Sequence, residues 1–183
     1  LVLRELTNDD LAAWYAILSD AETMKYYPAP FDEEKVRQWL EWNLENYQND
    51  GFGLWAVILK EENRLIGDCG MAMQCVHGKM LPEIGYHIHR GYQRRGYASE
   101  AASRCLQYAF EDLQLPEVYS YMKYDNKASC GVAKKNGMRL VETYPDAATV
   151  RHTREALGQV TAITTRLDGG AEQPRGSAAR YYT

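Results

Sequence analysis

Residues 92–101, Tyr-Gln-Arg-Arg-Gly-Tyr-Ala-Ser-Glu-Ala, constrain this chain more than any other stretch. A polar, basic turn holding one glycine runs straight into a regular amphipathic helix. Ala98, Ala101, Ala102, Cys105, Leu106, Ala109, Phe110 and Leu113 recur at alternating steps of three and one, which is one face of a 3.6-residue period. Upstream, Glu83-Ile84-Gly85-Tyr86-His87-Ile88 reads as a strand. The unit is strand, basic glycine turn, helix N-terminus. Such a unit points unpaired backbone N–H groups and the positive end of a helix dipole at one spot, with arginines beside it. It suits a pyrophosphate.

A P-loop needs G-x-x-x-x-G-K-[ST] and a dinucleotide fold needs G-x-G-x-x-G; neither fits here. The stretch reads Gln93-x-x-Gly96-x-Ala98 and resembles the Q/R-x-x-G-x-G/A signature of the GCN5-related N-acetyltransferases (GNAT). Downstream, an apolar strand from Val118 to Tyr124 leads to Asp125-Asn126-Lys127-Ala128-Ser129 and then Lys135-Asn136-Gly137-Met138. Asn126 suits an N-cap and Gly137 the position after a helix. N-x-x-S followed by K-x-G-M, after a strand that follows the glycine-turn helix, resembles the second motif of that family.

The flanks extend the likeness from Leu1 to about Tyr144. Leu1–Leu6 reads as a strand, and Thr7-x-x-Asp10 caps a helix with Leu11, Trp14, Tyr15 and Leu18 on one face. Asp32-Glu33-Glu34 opens a second helix, carrying Val36, Trp39, Leu40, Leu44 and Tyr47. Leu54–Leu59 and Leu65–Met73 read as strands turned by Glu61-Glu62-Asn63. Gln159–Arg166 serves as the last strand. The implied fold is a mixed α/β acetyltransferase domain over residues 1–167, with a central, mostly antiparallel sheet flanked by helices. Residues 168–183 read as a polar Gly/Ala-rich tail. The opening, with the Tyr26-Tyr27 segment and the Trp39 helix, resembles the branch containing ribosomal-protein alanine N-acetyltransferases. The segment Asp146–Leu157 departs from the family, where a longer hairpin is expected.

Composition sets outer bounds. The 183 residues suffice for one sizeable core. No stretch of eighteen apolar residues and no basic-then-apolar leader occurs, so a cytoplasmic protein without membrane attachment is expected. Cys69, Cys75, Cys105 and Cys130 form no C-x-x-C pair and have no clustered histidines, so no metal is expected. A formal charge of −4 argues against nucleic acid as the partner. The family often dimerises, and the sequence leaves the oligomeric state open.

By this resemblance the co-substrate is acetyl-CoA. Gln93, Arg94, Arg95, Gly96, Tyr97, Ala98 and Ser99 would take its pyrophosphate, Ile88 and His89 would offer backbone groups to pantetheine, and Asn126 would bind pantetheine as well. Ile88 N–H would also polarise the thioester carbonyl. The acceptor is expected to be a primary amine, either a peptide N-terminus or a small amine, acetylated by direct transfer in a ternary complex. Glu83 is the candidate base, from the strand that often supplies one in the family. His87 shares its face by period two and is the runner-up. Many members place a protonating tyrosine seven residues after the motif asparagine; here that position is Ala133. Branch members with N-x-x-S use the serine instead, so by this resemblance Ser129 is the candidate acid toward the coenzyme sulfur, with Tyr121 and Tyr124 as fallbacks. Tyr26, Tyr27, Trp42 and His87 are the candidate acceptor-binding residues. Alternatives of a different class are a catalytically weak CoA-binding regulatory module, suggested by Ala133 and the unusual C-terminus, and a nucleotide-binding phosphate loop.

Overall fold

Local capping chemistry starts both early helices where the sequence places them. In the computed structural model, which describes residues 1–76, 79–123, 125–143 and 149–155, strand β1 (Val2–Glu5) leads into Thr7. The Asp10 carboxylate accepts the Thr7 N–H at 2.8 Å and the Thr7 hydroxyl at 3.0 Å. This closes a 3₁₀ turn (Asn8–Asp10) that runs on into α1 (Leu11–Leu18). Arg4 grips the same carboxylate with two bonds of 2.7 Å. Helix α2 (Glu33–Asn49) starts at Asp32, whose side chain accepts the Lys35 N–H at 2.8 Å. Glu33 and Glu34 in its first turn complement the helix dipole.

The remaining elements are β2 (Leu54–Leu59), β3 (Arg64–Val76), β4 (Lys79–Ile88), α3 (Tyr97–Glu111), β5 (Glu117–Lys123), α4 (Lys127–Lys135), β6 (Arg139–Thr143) and β7 (Thr149–Glu155). Through β6 this is the order expected from the sequence. The described residues form two compact units.

The first unit comprises Leu1–Ala72 and Ile84–Cys105. Its strands lie in the order β1-β2-β3-β4. β1 pairs antiparallel with β2 (Val2 opposite Ile58), and β2 antiparallel with β3 (Leu54 opposite Gly70). Leu6, Trp14, Ile17, Leu18, Met24, Phe31, Val36, Leu40, Leu54, Ala56 and Ile58 form the core between α1, α2 and the strands. Asn43 interrupts the apolar face of α2 yet is fully buried. Its amide accepts Leu54 N–H at 2.8 Å and donates to Trp39 C=O at 2.9 Å, so the helix is tied to the start of β2 by satisfied polar groups. Gly67 marks a close approach of β3 to β4: a Cβ there would lie 2.1 Å from the carbonyl oxygen of His87.

The second unit holds Met73–Glu83 and the described residues from Leu106 onward. β4 meets β5 in parallel with Glu83 opposite Tyr119. β7 pairs antiparallel with both β5 and β6, giving the order β4-β5-β7-β6. The strand that completes this set is thus Thr149–Glu155, inside the segment that looked irregular in the sequence. Its residues, Thr-Val-Arg-His-Thr-Arg-Glu, carry little apolar signal, because backbone pairing along both edges fixes the strand. The expected strand at Gln159–Arg166 and the tail from Asp168 lie outside the described residues. The architecture is a mixed α/β sheet flanked by helices, mostly antiparallel and parallel at β4/β5.

Candidate active site

The turn between β4 and α3 has the backbone that an anion site requires. Gln93 is anchored by its own side chain, whose Nε2 donates to Ile88 C=O at 2.8 Å. Arg94 then takes φ +63° and Gly96 φ +92°, both in the left-handed region. Alternating such residues with ordinary ones lets successive N–H groups converge on one anion. The N–H groups of Arg94, Arg95, Gly96, Tyr97 and Ala98 donate to no backbone carbonyl among the described residues. Nothing lies within 4 Å of the position a Cβ would take on Gly96, so the concave side stays open. Arg94 and Arg95 are exposed, and the Arg95 guanidinium sits 5.6 Å from the centroid of the Tyr92 ring. Tyr92 is itself held by a 2.5 Å bond from its hydroxyl to Glu62. The residues fit a diphosphate: free N–H groups, a helix N-terminus and two cations meet at one turn.

At the end of β4, the backbone of His89 is already engaged. Its N–H donates to Ile66 C=O at 2.8 Å, and its C=O accepts Tyr92 N–H at 2.8 Å. Because N–H groups alternate sides along a strand, Ile88 N–H lies on the edge of β4 turned away from β3. Of the two residues expected to address pantetheine, Ile88 is the one with its donor so placed.

A second cluster lies on the face of β4 covered by the early helices. Asp68, on β3, is completely buried, as is Trp14 on α1. Trp14 Nε1–H donates to one Asp68 oxygen at 2.7 Å, and His87 Nδ1–H donates to the other at 2.8 Å. Both oxygens thus have strong donors, which a buried carboxylate requires. With its proton on Nδ1, the His87 ring presents Nε2 as an acceptor. The hydroxyl of Tyr27 donates to that nitrogen in a short hydrogen bond. Phe31 meets the Tyr27 ring edge-on at 5.7 Å, and Trp39 meets His87 edge-on at 6.0 Å. Trp42 follows Trp39 at 6.3 Å.

The whole opening of the chain supports one assignment: residues 1–139 match the model of the acetyltransferase (GNAT) domain. The chain belongs to the GNAT acetyltransferases. This GNAT enzyme is 35% identical over 140 residues to YnaD, an uncharacterized N-acetyltransferase of Bacillus subtilis (strain 168), covering 76% of this chain and 79% of that one. Among solved structures, an acetyltransferase from Agrobacterium tumefaciens superposes with a TM-score of 0.73 at 26% identity, over 84% of this chain and 89% of the other. RimL, a ribosomal L7/L12 alpha-N-protein acetyltransferase solved in complex with coenzyme A, shares the fold at 16% identity (TM-score 0.68; 84% and 92% covered). The enzyme is an N-acetyltransferase that uses acetyl-CoA.

The other candidates take the following places. Tyr26 lies under the Lys25 ammonium, 5.5 Å from ring centroid to Nζ. Glu83 is half-buried on β4. Asn126 caps α4 through a 3.1 Å bond from Ser129 N–H to its side-chain oxygen, and Ser129 stands half-buried in the first turn. Ala133 is buried, and its carbonyl accepts Asn136 and Met138 N–H, so the position is filled by the end of α4. Tyr124 lies outside the described residues. Sequence reasoning missed Asp68 altogether and treated Trp14 as core alone. A lone aspartate inside the apolar run Leu65–Met73 was the available signal.

Proposed function

We propose that this N-acetyltransferase acetylates a primary amine of low basicity, a peptide α-amino group or a small amine, by direct transfer from acetyl-CoA in a ternary complex. The observation that carries the donor half is the Gln93–Ala98 turn, with its left-handed Gly96 and unengaged N–H groups at the start of α3. In this reading Gln93 to Ser99 hold the diphosphate, Ile88 N–H polarises the thioester carbonyl, and Asn126 binds pantetheine. Acetyl-CoA supplies an activated acyl carbon; the chain holds it and manages protons. Ser129 is the candidate acid for the departing thiolate and Glu83 the sequence candidate for the base. The nature of the amine follows from acid–base cost. Deprotonating a lysine side chain at pH 7 costs about 4–5 kcal/mol, whereas an α-amino group costs roughly 1. The aromatic wall of Tyr27, Phe31, Trp39 and Trp42 suits a peptide backbone or an organic amine rather than a second charged group.

The first test is thermal unfolding with and without acetyl-CoA, with ATP as control. Ligand at about 100 times its dissociation constant stabilises by about 2.7 kcal/mol. That raises the midpoint by roughly 5–10 °C for a domain of this size. A shift with acetyl-CoA and none with ATP is expected. No shift at millimolar acetyl-CoA would reduce the turn to an ordinary helix start and remove the donor site.

A further inference from the structure

The Asp68–His87–Tyr27 array has the composition of a proton relay. Its three groups run in order from a fully buried carboxylate, through a buried imidazole, to a half-buried phenol. Asp68 has no freedom to act alone, because Trp14 and His87 occupy its two oxygens. What it does is fix the His87 proton on Nδ1 and face any positive charge that the ring acquires. His87 Nε2 is thereby committed to accept, and the group donating to it is Tyr27. A histidine serving packing alone needs one partner on each nitrogen. It does not need a buried carboxylate behind it, whose desolvation the fold must offset.

We infer that Tyr27 is the catalytic residue that takes the proton from the acceptor ammonium, relayed onto His87, with His87 and Asp68 as positioning residues behind it. This rests on the acetyl-transfer reading above and moves the base from Glu83 to Tyr27. The proton passes from the ammonium nitrogen to Tyr27 Oη as the phenolic proton passes to His87 Nε2. One N–H and one O–H bond break, and one O–H and one N–H bond form. The positive charge moves from the substrate to an imidazolium that faces Asp68. The neutral amine then forms the C–N bond to the acyl carbon as the C–S bond breaks and its electron pair leaves with sulfur. The second amine proton goes to that sulfur, and the His87 proton returns through Tyr27 to water. The net products are amide, thiol and one proton. His87 directly precedes Ile88, whose N–H is, in the acetyl-transfer reading, the proposed donor to the thioester carbonyl, and Gly67 holds that stretch of β4 close against β3.

The test compares two acceptors of opposite basicity, benzylamine, protonated at neutral pH, and 2,2,2-trifluoroethylamine, largely neutral. Tyr27→Phe removes one oxygen from a half-buried side chain and keeps the ring contact with Phe31. It is expected to lower kcat on benzylamine by on the order of 10²-fold or more, the usual worth of a general base, and by less than about tenfold on trifluoroethylamine. His87→Gln, which still offers a donor and an acceptor, is expected to show the same split. The acetyl-CoA thermal shift is expected to persist in both. A far-downfield proton resonance from the Tyr27–His87 bond is expected in the wild type and lost in Tyr27→Phe. Equal losses on both amines would assign the array a structural role and overturn the relay. So would full activity in Tyr27→Phe, or a larger basicity-dependent loss in Glu83→Gln. A wild type that shows no acetyl-CoA shift fails the acetyl-transfer reading before any amine is added, so the two failures are distinct.

Discussion

The proposed donor turn begins a few residues after His87, the centre of the proposed acceptor-side array, yet the two are built on opposite principles. The Gln93–Ala98 turn is contiguous and made of backbone: in the proposed reading its N–H groups, two left-handed residues and a helix start would hold the ligand. The array on His87 is buried and made of side chains drawn from α1, the segment before α2, β3 and β4. A backbone site tolerates changes of side chain but not of φ. A buried polar array tolerates neither a lost partner nor a shifted strand. Substitutions that act on one principle at a time separate the two.

Gly67→Ala should have the largest effect, and it falls on the array. The new Cβ would meet the His87 carbonyl oxygen at 2.1 Å, Ile88 Cδ1 at 2.8 Å and Ile88 Cα at 3.0 Å. Two of those three atoms are backbone, so β3 and β4 must part. A cost of about 3 kcal/mol or more is expected, at the upper end for overpacking. It would appear as a fall in midpoint of roughly 6–12 °C. If Gly67→Ala unfolds at the wild-type temperature, the close approach that aligns His87 is not a constraint on the fold.

Gly96→Ala probes the other principle and should leave stability much less affected. A Cβ there meets nothing within 4 Å, so no packing is disturbed. The penalty is the left-handed backbone at φ +92°, about 1–2 kcal/mol for an L-residue. The turn can relieve that strain by abandoning its anion-binding shape, so acetyl-CoA affinity is expected to fall about tenfold while the midpoint without ligand drops by only a few degrees. Calorimetric titration with acetyl-CoA measures it. An unchanged dissociation constant would mean that the N–H groups of this turn do not hold the ligand.

This contrast also explains what could be read from the sequence. The elements through β6, both early caps, the α3 face and the proposed donor turn each left a local pattern in the sequence. The array did not. Asp68 appears in sequence as one acid in an apolar run, and its partners lie 54 and 19 residues away. Only strand pairing brings them together. Asn43 is the same case on a smaller scale: its residue type spoils the apolar face of α2, while Leu54 N–H and Trp39 C=O supply the reason. β7 escaped for a related cause. Pairing on both edges holds it, and no hydrophobic alternation marks it.

Asp10 offers the finest test, because it is a carboxylate that local sequence did reveal. Burial pushes its carboxyl up, but the bonds from Arg4 and from the Thr7 N–H and hydroxyl outweigh this and hold it below the usual carboxylate range. A group whose folded pKa is depressed contributes stability above its unfolded pKa and loses it as pH falls through the folded one. The contribution of Asp10 should therefore be complete at neutral pH and be lost progressively as pH falls below about 4. Arg4 is partly exposed, so the pair is screened by solvent and its worth is limited to about 1 kcal/mol. Asp10→Asn is expected to lower the midpoint by roughly 2–4 °C at pH 7 and to converge with the wild type in acid. A gap that stays constant across that range would mean that Asp10 serves as a neutral cap whose charge adds nothing. The local carboxylate would then resemble the donor turn, where shape carries the interaction, rather than the buried Asp68.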